Sequence, residues 1–458
     1  MHGSSGGQGT TSTLKVFGNI FISFIGAGVL GLPYAFKEAG ILEGIIIMST
    51  VGLLSVRAML LIIDSKDRIS SGSSRSAIDD AFTMESETAL LPNGSTKKLE
   101  KTRKADNSHK EICYGDVGYE AYGRLGANVV DGSIVVSQVG FCCAYLIFIT
   151  ENIAQYFTSY SPEIDGEHEP GSNAQKIVLA SLFVPLCFLC FLKHLHKLAI
   201  FSLFADFANV FAYTIVFWFD FEHAGKVRMH PKEMDIAGLP FFAGIAIYCY
   251  EGAGMVLSLE SSMAKEVRNQ FRTIFKWTML LITTLYIIFG VCGYMSFGPE
   301  TNPIITLNLP TGIFPFLVKG CLCFSLFFTF PVMMFPVIQI LEKRIGLENS
   351  PKKGKILRST MVLLTVIIVL LIPSFADLMS LVGATCCSLI AFIMPAMFHL
   401  KLFQGDLTRS QILLDYFLIL LGITGTIIGT FDSLKRMGII PSGHVESGGT
   451  HNVTVPLA

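Results

Sequence analysis

Glu251, in YCYEGAGMV, and Asp206, in SLFADFANVFAY, are acidic residues set in the middle of apolar runs. An acidic side chain at the centre of a bilayer costs about 3 kcal/mol on insertion scales. Burial also raises a carboxyl pKa, so such a group can take up and release a proton near neutral pH. Proton coupling is therefore the chemistry these two residues offer. The structural alternatives are a cap on freed N–H groups for Glu251 and a buried hydrogen bond for Asp206. Directly after Glu251 comes GAGMVL at 252–257, and an earlier run carries GAGVLGLP at 26–33. Three glycines and one proline cost an interior helix about 6 kcal/mol on intrinsic propensity. A helix broken at mid-bilayer frees N–H and C=O groups, and each is expensive in lipid unless protein or a polar cavity receives it. Half-helix N-termini suit a carboxylate, freed carbonyls suit an ammonium or a cation, and glycine lets a ligand approach the backbone. Two such breaks facing each other make a cradle for a small zwitterion.

The elements that must hold the cradle are membrane spans. The chain has 458 residues, of which 51% are hydrophobic and only 15% charged, and its mean hydropathy is +0.57. A soluble protein carries about 25% charged residues. The apolar residues come in blocks of about 20, the length a bilayer core requires. An all-α polytopic membrane protein follows, with eleven spans expected near 16–36, 41–63, 129–156, 177–192, 198–219, 237–260, 277–297, 312–340, 359–373, 376–400 and 412–432. The segments after even-numbered spans hold most of the Lys and Arg, among them Lys265, Arg268, Arg272 and Lys276. The positive-inside rule then places the N-terminus in the cytosol and the C-terminus outside or in an organelle lumen. MHGSSGGQGTTST lacks a basic n-region, so the first apolar run is expected to be a retained span.

The expected layout is a cytosolic tail at 1–13, a transmembrane domain at 14–432 and a luminal or extracellular tail at 433–458. A Ser-rich, charged insert at 64–124 is expected to be cytosolic and disordered, with phosphorylation as one use. It contains ESETALLP, one residue off the spacing of an acidic dileucine sorting signal. Asn452 heads a glycosylation sequon on the permissive side, whereas the match at Asn93 is expected to stay in the cytosol. Of the 11 cysteines, only Cys113 lies outside an apolar run. Cys187 and Cys190 form a lone CxxC that reads as small apolar residues, and no metal site is expected. There is no HExxH, no GxSxG and no facing pair of catalytic aspartates, so the chain does not read as an enzyme.

The two glycine motifs lie in the first and sixth spans. The sixth span comes five after the first, an odd step, so the helices that carry them run in opposite directions, the arrangement of an inverted repeat with discontinuous helices at its interface. GNIFISFIGAGVLGLPYAFKEAG, GDVGYEAYG, VSQVGFCCAYLIFI, GIAIYCYEGAGMVLSLESSM and GYMSFGPETNPIITLNLP resemble the amino acid/auxin permease family. That family sits within the amino acid–polyamine–organocation superfamily, and the chain is most similar to plant-type vacuolar amino acid transporters. The resemblance covers about Leu14 to Asp432. It implies a LeuT-type fold with a 5+5 inverted repeat (14–219 and 237–400, then span eleven at 412–432) and broken helices 1 and 6. It implies alternating access and secondary active transport of amino acids, often neutral ones, in a vacuolar or lysosomal-type membrane rather than the plasma membrane. It places the substrate's carboxylate and amino group near Gly26, Ala27, Gly28 and Val29, and near Tyr250, Glu251, Gly252 and Gly254. Where animal proton-coupled members carry a histidine early in the first span, this chain has Asn19.

No cofactor is expected, only a proton or sodium gradient. Ser325 and Thr329 share a helix face and match the small hydroxyls of LeuT-type sodium sites. Tyr145, Tyr248, Tyr250 and Phe330 are candidate pocket walls. Arg57, Glu151 and Lys319 are expected to snorkel, and Glu260 is a candidate gate residue. The expected partners are an amino acid and the lipid bilayer, with no nucleic acid; the oligomeric state is not written in the pattern. A competing class is an amino-acid sensor that signals through the insert, which deletion of the insert separates from a carrier.

Overall fold

A computed structural model describes residues 12–88, 112–160, 170–191, 199–223, 235–264, 267–310, 312–347 and 350–440. The described chain is helical. The helices are α1 (Thr13–Phe24), α2 (Leu32–Ala39), α3 (Ile41–Thr88), α4 (Tyr114–Tyr160), α5 (Pro170–Cys190), α6 (Ala199–His223), α7 (Leu239–Cys249), α8 (Val256–Ser261), α9 (Phe271–Phe297) and α10 (Ile313–Ile345). After them come α11 (Pro351–Leu371), α12 (Phe375–Leu402) and α13 (Arg409–Arg436). Among the described residues eight helices are long and apolar enough to cross a membrane, and a ninth span is the bent pair of α1 with Ala27–Ala39. The expected count of eleven would add α6 and the interrupted pair α7–α8.

Burial sorts these helices. The most apolar window of α4 is 78% buried and that of α13 only 22%, so α4 runs through the middle and α13 along the edge. The outward faces are apolar too: Leu53, Trp218, Trp277 and Ile427 are all exposed, the surface expected of a protein whose solvent is lipid. Small residues let the inner helices touch. A Cβ on Gly383 of α12 would stand 1.9 Å from the carbonyl oxygen of Gly244 of α7, a backbone-to-backbone approach that only glycine permits. Beside it α12 passes through two π-turns, Gly383–Cys387 and Leu389–Ile393.

Parts of the expected insert at 64–124 are helical. α3 stays helical to Thr88, and α4 begins at Tyr114, bending at Tyr122 and Gly123, where Gly123 has φ of 63°. The cause at the near end is charge. Arg272 at the start of α9 pairs with Asp64 and Asp67, and Lys66 pairs with Glu260 at the end of α8. Arg268 stands 3.6 Å from the same Glu260 carboxylate. Residues 89–111, with Asn93 and the ALLP half of the sorting-signal match, lie outside the described residues, as do 1–11 and the tail with Asn452.

Glu260, the expected gate residue, is thus a tie between α3, α8 and α9. Its replacement by Gln should lower the thermal midpoint of the purified protein. Lys66 keeps Asp67 at 3.8 Å, and Arg268 keeps the carbonyls of Ser261 and Met263. The cost therefore sits at the low end for a partly buried pair, about 1 kcal/mol. An unchanged midpoint in a thermal-shift scan would remove Glu260 from the tie.

Lys319, expected to snorkel, is buried instead. Its amine donates to Gln155 Oε1 of α4 at 2.6 Å and stands 5.4 Å from the centre of the Tyr156 ring. Gln155 in turn donates to the carbonyl of Leu307. Next to it, Thr306 donates to Asn152 Oδ1 at 2.7 Å. These bonds tie the short turn Ile305–Asn308 to α4, and the same turn packs against Ala27–Gly31.

Candidate functional site

Both expected breaks are present. α1 ends at Phe24, and Ile25 (φ −79°, ψ 87°) and Gly26 (φ −113°, ψ −176°) leave the helix. A short 3-10 turn, Ala27–Gly31, leads into α2, whose axis is bent by 49° from that of α1. Pro33 near the start of α2 supplies no N–H, a loss that falls where a helix start has no partner to offer. α7 ends at Cys249, Tyr250 departs from helical geometry (φ −93°, ψ 6°), and α8 resumes at Val256.

The two breaks interlock through their glycines. A Cβ on Gly252 would stand 2.3 Å from Phe24 Cζ, and one on Gly28 would stand 3.0 Å from Cys249 Sγ and 3.1 Å from Tyr248 Cδ1. Each break therefore receives a side chain of the other in the place of a missing methyl. Between them is a cavity of about 60 Å³ lined by Gly26, Ala27, Gly28, Val29, Tyr248 and Glu251, with Gln138 and Tyr145 of α4 on a further wall. A Cβ on Gly26 would meet nothing within 4 Å, so this residue presents bare backbone to open space.

Two tyrosines satisfy the carbonyls that the breaks release. Tyr286 of α9 donates its hydroxyl to Phe24 O at 2.6 Å, with Cys249 O a longer second acceptor at 3.5 Å. Tyr213 of α6 donates to Gly26 O at 3.0 Å. One phenol thus spans both interrupted helices. On the cavity wall, by contrast, Tyr248 Oη and Gln138 Oε1 have no hydrogen-bond partner among the described residues. Buried polar atoms are almost always paired, so these two are handles for a polar guest. Glu251 is buried, and its Oε1 accepts from Gly254 N across a long 3.5 Å.

The structure gathers Gly26 to Val29 and Glu251 around one space. Gly252 and Gly254 lie in the second break but do not line it. The Tyr250 side chain turns away and donates to Thr283 Oγ1 at 2.8 Å. Of the aromatic candidates, Tyr145 and Tyr248 line the cavity; Phe330 is buried elsewhere in α10, which contributes Met333 instead. Thr329 donates to Ser325 O of its own helix at 2.8 Å, while the buried Ser325 Oγ has no partner among the described residues. Neither lines the cavity. The side chain of Asp206 lies outside the described residues. Sequence reasoning missed Tyr213, Tyr286 and Gln138. The available signal was a polar group in an apolar span, since a buried phenol needs an acceptor.

A many-helix bundle with a lipid-compatible exterior and a small cavity between two interrupted spans, carrying a few polar groups on an otherwise apolar wall, defines a membrane transporter for a small solute. The chain belongs to the transmembrane amino acid transporter protein family, whose model matches residues 9–80 and 94–434. It is 35% identical over 442 residues to the amino acid transporter AVT3C of Arabidopsis thaliana, covering 94% of this chain and 92% of that protein. It is 33% identical over 453 residues to the amino acid transporter ANT1 of the same plant, covering 93% of each. Vacuolar amino acid transporter 4 of Saccharomyces cerevisiae is 25% identical over 469 residues, covering 93% of this chain and 58% of its own length. These relatives are named transporters, not enzymes, and the family is the one the glycine motifs resemble.

Proposed function

We propose that this protein is a secondary active carrier of small neutral amino acids, driven by a proton gradient and working by alternating access in a vacuolar-type membrane. The N-terminus is cytosolic, eleven spans form a 5+5 inverted repeat, and the two broken segments are the first span of each half. One observation carries the reading: the interlocked breaks enclose a cavity walled by main chain on one side and by Glu251 on the other. The substrate carboxylate faces the first amides of the turn at Ala27 and Gly28, which a helix start leaves without internal partners. The ammonium faces Glu251 and the Tyr248 hydroxyl. A space of about 60 Å³ is room for about four water molecules, which suits a zwitterion with little or no side chain. The vacuolar assignment is supported by the yeast relative's name.

Sodium coupling is the second reading, favoured by the unpaired Ser325 hydroxyl. Reconstitution into liposomes with a panel of labelled amino acids, with and without a proton gradient and sodium, tests both. Glycine and alanine uptake stimulated by the proton gradient and indifferent to sodium is the expected result. Stimulation by sodium alone would transfer the assignment to Ser325 and Thr329. Uptake of aromatic amino acids in preference to glycine and alanine would sink the size argument.

A further inference from the structure

Asp220 of α6 has no exposed surface, and neither of its carboxyl oxygens has a hydrogen-bond partner among the described residues. It is enclosed where three helices meet. A Cβ on Gly293 of α9 would stand 2.6 Å from Pro33 Cγ of α2 and 3.2 Å from Asp220 Oδ2. The absence of a side chain at 293 leaves the room into which Pro33 of α2 and the carboxyl of Asp220 both reach. The neighbouring hydroxyl of Ser296 is directed at the backbone carbonyls of Asp220 and Cys292, not at the carboxyl.

Among the described residues the groups on the packed elements offer it no counter-charge. On α9 its titratable neighbour is the Cys292 thiol. On α2 the Lys37 amine donates to Thr301 O at 3.1 Å. On α10, which packs along α6, Lys319 is committed to Gln155. A fully buried carboxylate with neither donor nor cation among the described residues is costly in such a place, and the group stays neutral instead.

We propose that Asp220 is a proton-binding site of the transport cycle. It holds its proton in the conformation seen here and releases it to water when α2 parts from α6 and α9. The step is a simple ionisation: the O–H bond breaks, the proton goes to water on the side that opens, and the carboxylate is left solvated. The link to the cavity is mechanical. Asp220 lies seven residues beyond Tyr213, two helical turns or about 10 Å along one face of α6. Tyr213 grips Gly26 at the break, while Pro33, seven residues beyond that break, and Asp220 both flank Gly293 of α9. A hinge at Gly26 therefore moves α2 against Asp220 without the carboxyl touching the substrate.

This inference rests on the proton-driven reading, and the test separates the two. Wild-type protein and the Asp220→Asn variant are reconstituted into liposomes and supplied with labelled alanine. A wild type that ignores the proton gradient removes the proton-driven reading, and this site with it. The expected result is a wild type stimulated by about tenfold, and an Asn variant that exchanges alanine without a gradient as the wild type does but has lost the stimulation. An Asn variant still stimulated by the gradient overturns the Asp220 assignment and leaves proton coupling standing. A folded variant without exchange marks a structural carboxyl and overturns it as well. A measurement on the unaltered protein covers failure of the variant to assemble. Dicyclohexylcarbodiimide modifies protonated carboxyls in apolar surroundings, and peptide mass spectrometry locates the adduct. Modification of Asp220 at about pH 6 is expected; none at any pH overturns the proposal.

Discussion

Alanine at Gly252 is expected to destabilise the protein and stop transport, whereas alanine at Gly26 leaves a folded protein that binds its substrate poorly. The two changes add the same methyl group to opposite environments. At 252 the new Cβ would stand 2.3 Å from Phe24 Cζ. That ring is buried and packs against Phe275 with 6.1 Å between centroids, so relief requires moving the end of α1. Overpacking of this kind costs about 1–3 kcal/mol, and here the strain falls on the junction between the breaks. At 26 no atom lies within 4 Å of the new Cβ. The backbone there, φ −113° and ψ −176°, is extended and open to alanine. The methyl therefore enters the cavity and takes space from the guest. Thermal-shift scans and alanine uptake distinguish the two. Gly26→Ala should keep the wild-type midpoint and raise the apparent KM by about tenfold or more. An unchanged KM would mean that Gly26 does not face the substrate, and a wild-type Gly252→Ala would mean that the breaks do not interlock.

Removal of the Tyr286 hydroxyl is the second change expected to have a large effect. Phenylalanine keeps the ring, whose centroid lies 5.5 Å from that of Tyr250, and deletes only the donor shared by Phe24 O and Cys249 O. Phe24 O still accepts from Gly26 N at 3.0 Å, so the change removes one hydrogen bond, worth about 1 kcal/mol, at the point where the two interrupted helices are held in register. Transport by Tyr286→Phe should fall by about fivefold, since about 1.4 kcal/mol is a factor of ten in an equilibrium or a rate. Tyr250→Phe is the matched control. It breaks a single side-chain bond to Thr283 outside the cavity, so its effect on uptake should be small. Equal losses in the two variants would deny Tyr286 its bridging role.

The two breaks were legible in the sequence because glycine and proline act locally. GAGVLGLP and GAGMVL interrupt their helices through their own backbone preferences, wherever the rest of the chain goes. Glu251 was legible because a charge inside an apolar run needs a reason. Tyr213 and Tyr286 were not, since their acceptors come into being only when distant helices open. The Tyr250 side chain was misjudged because it sits where α7 ends, and its direction follows a non-helical ψ of 6° that no periodicity predicts. Asp220 was missed for a simpler reason. The fifth apolar run was bounded at 219 by the charge that follows it, yet α6 continues to His223 and takes that charge inside. Hydropathy marks where a segment stops being apolar, not where its helix stops or which neighbours close over its end. The insert shows the same limit: α3 runs on past its apolar part, held by ion pairs to α8 and α9.

Gly26 meets the cavity with no side chain at all. On the proposed function, the portion shared by every amino acid is read by peptide groups, which no codon change can erase without rebuilding the chain's path. Diversification within such a family would then concentrate on the remaining wall. Gln138, Tyr145, Tyr248 and Met333 are the positions where an altered diet of solutes would first be recorded.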